Sequence, residues 1–456
     1  MNKEMKLPAT NLPPFFCQRQ SVRIAFIVIA ISIVFVLIGI IFNPARFYPS
    51  KDFSSYKHSE DYQLNDQSKR KFSNSSSGQG QQDFFADVAH LPSCGDKKEL
   101  FSVSPLKLTD FSGIVPLGTL APTSHVLPTH HLYFHPRRED PRNFNSLPVE
   151  IPVVAPTDAT ITEIRFTETK ERPDFNDGVI HFSPCKEVKG LFDHFKTFSA
   201  KLQKAYAEGA IIRCDEYQRS YKKFGTLTFK LCNKKVNIQI KAGEQIGTAG
   251  GGEGQMVFDF GVFDNRVPPA TLANPKRWLG QEQKQYTVCP LDYYAPGLKD
   301  NLNSRLGTPD GERRRTIEPV CGQANWDLPG TAQGVWILKG EEYVAHENPH
   351  LALAYDNTDP TIAVISMGNS EENKGFSWGT YNFKPKDSGL VNRHFKDIKA
   401  DSNVYCFETE DTYRNNTRAI ILLKMPTSET LKIEKLNQTS CGPGPWQMKN
   451  YAEFNR

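Results

Sequence analysis

Lys241-Ala-Gly-Glu-Gln-Ile-Gly-Thr-Ala-Gly250, followed after more glycine by Val257-Phe-Asp-Phe-Gly-Val-Phe263, is the passage on which the fold reading turns. Lys241 to Glu244 reads as a turn, and residues 257–263 alternate in the manner of a strand. The glycine-rich string at 247–254 lacks the Lys-Ser/Thr of a phosphate-cradling loop and has no helix after it, so it reads as a tight turn feeding a strand. Upstream, residues 151–164 form two alternating runs about a turn at 156–158. Short strands are expected at 179–182, 225–231 and 236–240, with a mostly helical stretch over 191–208. Downstream, residues 281–456 carry strand patterns at 334–339, 351–355, 361–366, 402–408, 419–424 and 430–435. Their spacing fits a sandwich or small barrel. Gly and Pro at 31 each, with 30 Phe and 16 Tyr, suit strands joined by turns. The expected fold class is mainly β.

At the other end of the chain, residues 24–42 are apolar and uncharged. Nineteen residues at about 1.5 Å each span roughly 28 Å, the thickness of a bilayer's hydrocarbon. This predicts a transmembrane helix after a cytoplasmic tail at 1–23, making a single-pass membrane protein with its C-terminal domains outside the cytoplasm. Lys3, Lys6, Arg19 and Arg23 before the run favour that orientation. Cys17 precedes the run and eight cysteines follow it, an even set that suits disulfides in an oxidising compartment. Residues 43–83 are polar and poor in apolar side chains, and read as a flexible tether. Two β domains follow, 84–280 and 281–456. Near-balanced charge, 55 basic against 51 acidic residues, gives no case for a nucleic-acid partner.

Three stretches resemble the LytM-type domain of peptidase family M23. Pro152-Val-Val-Ala-Pro156 with Asp158 and Ile161 is similar to that family's first hairpin. Lys241 to Gly250 is similar to its approach to the last metal strand, and Phe258-Asp-Phe-Gly-Val262 to its "H-x-H-F-G-V" strand. The likeness spans about residues 120–270. It implies a small antiparallel β domain, one zinc ion, and cleavage of peptide cross-links in bacterial cell walls. Family members bind zinc through the His and Asp of "H-x3-D" and the second His of "H-x-H", with a catalytic His in "Y-x-H".

The metal residues depart from that pattern. Aligned on Gly261, Val257 stands at the first strand His and Asp259 at the second. Upstream, His125-Val-Leu-Pro-Thr-His-His-Leu-Tyr-Phe-His135 replaces "H-x3-D". His131 takes the Asp ligand position, with His125 as a further candidate and His131/His135 as an alternative pair. By resemblance, metal ligands are His131, Asp259 and His125, and His194 in Phe192-Asp-His194-Phe is the catalytic His. His130 and His135 are expected on a surface loop. Two readings stand: an envelope protein whose degenerate LytM-like domain binds cell-wall peptide or a partner protein, and a divergent zinc-dependent peptidase or amide hydrolase. His346-Glu-Asn-Pro-His350 spells the zincin motif, but Pro349 disfavours the helix that motif needs.

Overall fold

The computed structural model describes residues 84–456, apart from 123, 222, 279, 280, 343, 345, 346, 371 and 373. The strands are β1 (Phe111–Val115), β2 (Leu132–Pro136), β3 (Ile151–Val154), β4 (Ala159–Thr169), β5 (Asp177–Cys185), β6 (Val188–Phe198), β7 (Ala210–Tyr221), β8 (Gly225–Ile240), β9 (Gln245–Ala249), β10 (Phe258–Asp264) and β11 (Thr287–Val288). These eleven form one antiparallel sheet along the path β1-β2-β10-β6-β5-β4-β8-β7, with β3, β9 and β11 off it. Helix α1 (Ala200–Glu208) follows β6, and α2 (Pro296–Asn303) follows the sheet.

Alternation decides which residues enter the core. Phe258, Phe260 and Val262 on β10 are fully buried. Phe258 and Phe260 stand in register with Phe134 and Leu132 of β2, and Phe260 with Phe192 of β6. The Phe192 ring lies 4.7 Å from that of Phe260 and 4.9 Å from that of Phe182. Leu291, Tyr293, Leu302, Leu306 and Cys321 pack into this same core.

The second core belongs to a closed barrel of β12 (Gly334–Leu338), β13 (Leu351–Tyr355), β14 (Ala363–Met367), β15 (Gly379–Phe383), β16 (Tyr405–Asp411), β17 (Thr417–Thr427), β18 (Thr430–Leu436) and β19 (Ala452–Asn455). Closure leaves none of these eight strands at a free edge. The lumen is filled by side chains such as Trp336, Tyr381, Phe395, Phe407 and Phe454. Barrel and sheet meet through Val126 and Leu127 against Val335, Ile337, Val344 and Ala352. Ser366 Oγ donates to the Val126 carbonyl at 2.7 Å, and Asn357 Nδ2 to the Pro116 carbonyl at 2.8 Å.

Two expectations are corrected. The transmembrane helix does not enter the fold class: no helix among the described residues is long and apolar enough to cross a membrane, and residues 24–42 lie outside those described. The longest helix among the described residues, α1, has nine residues and a mixed polar sequence, reaching only about 14 Å. The fold class is a large antiparallel sheet joined to a closed eight-stranded barrel. The helical stretch over 191–208 is also corrected, because its first half is the continuation of β6. Leu191, Phe192, Phe195 and Phe198 are buried there, and bulky aromatics favour a pleated surface.

The eight cysteines of the described region form four disulfides: Cys94–Cys185, Cys214–Cys232, Cys289–Cys321 and Cys406–Cys441.

Candidate metal centre

Because Phe258 and Phe260 face the core, Asp259 between them faces the opposite side of the sheet. That side is covered, and Asp259 is only 2% exposed. Its register partners are Tyr133 on β2 and Asp193 on β6. His131 enters just before β2, beside Gly261. A Cβ on Gly261 would stand 3.3 Å from the His130 carbonyl and 3.5 Å from the His131 Cβ, so the glycine leaves room for that ring.

Three sequence candidates converge here. His131 Nε2 lies 3.1 Å from Asp259 Oδ2, and His194 Nε2 lies 3.5 Å from the same oxygen. The close approach of His131 is not a hydrogen bond: neither of its ring nitrogens has a hydrogen-bond partner, and Asp259 Oδ1 has none either. His194 adopts a left-handed backbone, φ 72°, unusual for a residue with a side chain. Its N–H donates to Asp193 Oδ1 at 2.7 Å, and its Nδ1 pairs with Asp177 Oδ1 at 3.2 Å. Arg165 Nη2 holds the other Asp193 oxygen at 3.3 Å.

Electrostatics separate the two imidazoles. Burial, then the neighbouring His130, His125 and Lys284, hold the His131 pKa well below its ordinary value, so the ring is neutral. Burial also pulls His194 down, but Asp177, Asp259 and Asp193 outweigh it and push its pKa well up. Burial, together with Asp193 and Asp177, raises Asp259 well above the usual carboxylate range, against the pull of His194.

His125 is not brought to Asp259. Its ring packs edge-on against His131 with centroids 5.6 Å apart, and its Nδ1 stands 3.9 Å from Glu347 Oε2. His135 is buried at 3% exposure beside Phe144, not on a surface loop. Four residues of strand separate it from His131 by about 13 Å, too far to share an ion. His130 is half-buried. Of the zincin-like string, His346 lies outside the described residues, and Glu347–His350 is a turn leading into β13. Val257 is half-buried at the entrance to β10 and offers no ligand atom.

His131, Asp259 and His194 offer zinc-type donor atoms, but as placed they are not gathered closely enough to share one ion without the two imidazoles closing in. Neighbouring ligands on a tetrahedral zinc with bonds of about 2.0–2.1 Å stand roughly 3.3–3.4 Å apart, which matches both approaches to Asp259 Oδ2. Buried ligand atoms without hydrogen bonds are what such a site leaves in the bare protein. Two groups among the described residues have ligand atoms all within 4.8 Å of one another, Asp177–Asp193–His194 and Cys94–Cys185–Glu187; His131, Asp259 and His194 together are not such a group, so the His131 and His194 Nε2 atoms stand more than 4.8 Å apart on either side of Asp259. In the second of the two groups the sulfurs are joined as a disulfide and cannot act as thiolates. Sequence reasoning missed Asp177, Asp193 and Glu347. Asp193 was adjacent to a named histidine, while Asp177 sits in Asn176-Asp-Gly178, which looks only like a turn.

No family model, curated protein or solved structure matches the chain.

Proposed function

We propose that the chain is a divergent metal-dependent amide hydrolase working outside the cytoplasm, with His131, Asp259 and His194 as its metal ligands. The observation that carries this reading is the approach of both imidazole Nε2 atoms to one buried, under-bonded Asp259 carboxylate. The donor set is two His and one Asp, the set implied by the LytM resemblance, assembled here from other positions. His194 then acts as a ligand in place of the catalytic role first expected for it. Asp177 on its Nδ1 is the carboxylate that fixes the tautomer of a ligating histidine. A zinc ion held there supplies Lewis acidity and a water of lowered pKa. The neutral His131 ring presents a lone pair without first losing a proton. His194 is the exposed edge of the centre, with 27% of its side chain accessible against 6% and 4% for His131 and Asp259. Substrate therefore approaches from the side of His194, Asp177 and Arg165. By resemblance the substrate class is a cell-wall peptide, and four disulfides favour an oxidising compartment.

A second reading is favoured by the near-complete burial of His131 and Asp259 and by Val257 where the family has a histidine: a binding module for cell-wall peptide or an envelope protein. Release of new amines from cross-linked peptidoglycan fragments separates the two. Release that chelator abolishes and zinc restores supports the hydrolase. Retention on insoluble wall with no release at any zinc level favours the binding module.

A further inference from the structure

Three arginines from separate segments gather along β1 without a carboxylate to neutralise them. Arg137 follows β2; its backbone N–H donates to the Asp110 carbonyl and its Nε to that of Thr109. Arg305 follows α2; its guanidinium lies 5.0 Å over the Phe111 ring, with Nη1 3.5 Å from the Phe111 carbonyl. The backbone of Arg314 pairs with that of Gly307, whose own N–H donates to the Ile114 carbonyl, and its charge acts on that of Arg305. The guanidiniums of Arg137 and Arg305 thus bond to carbonyls only two residues apart, those of Thr109 and Phe111, so the Arg137 and Arg305 head groups are neighbours.

The loop bearing Arg314 is fixed against β1. A Cβ on Gly307 would fall 1.9 Å from the Arg313 carbonyl, and one on Gly113 would fall 2.3 Å from that of Thr308. The nearby acids are turned into their own loops. Asp310 Oδ1 accepts from Thr308 Oγ1 at 2.6 Å and from the Glu312 N–H at 3.0 Å, and Asp110 Oδ1 accepts from Thr109 Oγ1 at 2.9 Å. Among the described residues no carboxylate oxygen lies within 4.0 Å of the Arg137, Arg305 or Arg314 nitrogens. Burial, then Arg137 and Arg314, hold the Arg305 pKa below its ordinary value.

Like charges held together on a fixed frame are relieved by a bound anion. Guanidinium groups match the oxygens of phosphate in paired, charge-assisted bonds. Three of them suit a multiply charged group better than a lone carboxylate. The geometry points to an anion site for a phosphate-bearing ligand alongside β1, formed by Arg137 and Arg305 with Arg314 completing it. It is separate from the metal centre and does not depend on it.

The test is calorimetric titration of the full chain with inorganic tripolyphosphate, beside co-sedimentation with phosphatidylglycerol vesicles and with neutral phosphatidylcholine vesicles. Saturable tripolyphosphate binding, weakening as salt rises, is the expected result. Joint Arg137→Ser and Arg314→Ser substitution, at exposed positions, weakens it by about tenfold or more. Arg305→Lys keeps the charge, loses the planar fork, and falls between the two. Binding to phosphatidylglycerol alone assigns the phosphate to a lipid headgroup; binding to tripolyphosphate assigns it to a soluble group. The proposal is overturned if the wild type binds neither probe, if it binds both kinds of vesicle equally and no tripolyphosphate, or if the double variant binds as tightly as the wild type.

Discussion

Asp259 shows how a single side chain ties chemistry to a strand's period. Its two neighbours are phenylalanines locked into the core, so its carboxylate has no freedom to turn away from His131 and His194. Leaving such a group buried and half-bonded costs several kcal/mol by general estimates, which a bound cation offsets. Asp177 is the residue that makes His194 usable, because it holds Nδ1 and leaves Nε2 for the ion. Asp177→Asn should therefore weaken zinc binding by about 10- to 100-fold with little change in fold, read by competition against a chromogenic chelator. Unchanged affinity would remove His194 from the ligand set. The sequence offered His131, Asp259 and His194 through their motif positions. Asp177 was not legible, since only folding brings the start of β5 beside the bulged end of β6. His135 was misread because a His in a His-rich string looks solvated, whereas β2 carries it into cover beside Phe144.

At the scale of elements, β10 is pinned at its far end by a charged knot. Asp264 is 2% exposed and accepts from Arg266 Nη2 at 2.6 Å and from the Tyr293 hydroxyl at 2.5 Å. Burial works to raise its pKa, but the Arg266 and Tyr293 bonds outweigh burial and lower it. A lowered folded pKa means stabilisation that is complete above the unfolded value, about 3.9, and lost as pH falls through the folded one. Chemical denaturation should show stability falling below about pH 4, with a shallower fall in Asp264→Asn; identical pH profiles would contradict this. Packing of β5 on β6 depends on Gly190, where a Cβ would meet the Phe182 ring at 2.1 Å. Gly190→Ala should cost about 1–3 kcal/mol of stability, and a melting temperature equal to wild type would count against the stacked Phe182–Phe192 core. Most strands were legible from alternation and turn residues. The first half of 191–208 was not, because a short aromatic-rich run has no period that separates helix from strand.

In the whole molecule the barrel and the sheet form joined cores. Glu347, on the turn before β13, accepts the Leu127 N–H at 3.1 Å and stands 3.7 Å from the buried Lys284 amine. Lys284 in turn donates to the Pro128 carbonyl at 3.0 Å. The barrel thus backs the segment that carries His125 and His131, a relation between distant stretches that no local pattern encodes. That eight cysteines would pair was readable from their even number, while the pairing came only with the fold. The Cys94–Cys185 bridge closes a 91-residue separation, anchoring the first described segment to the end of β5. Replacing both cysteines by Ser should cost about 2–5 kcal/mol, seen as a lower denaturation midpoint; an unchanged midpoint would show that the segment is held by packing alone.

The proposed centre has one metal ion held by His131, Asp259 and His194. Its most direct test is elemental analysis of the full chain purified without added metal or chelator, then equilibrated with zinc and desalted. About one zinc per chain is expected, lost in Asp259→Ala and retained in His125→Ala, since His125 turns towards Glu347. A wild-type protein that holds no zinc after equilibration, or an Asp259→Ala variant that holds as much as the wild type, would contradict it.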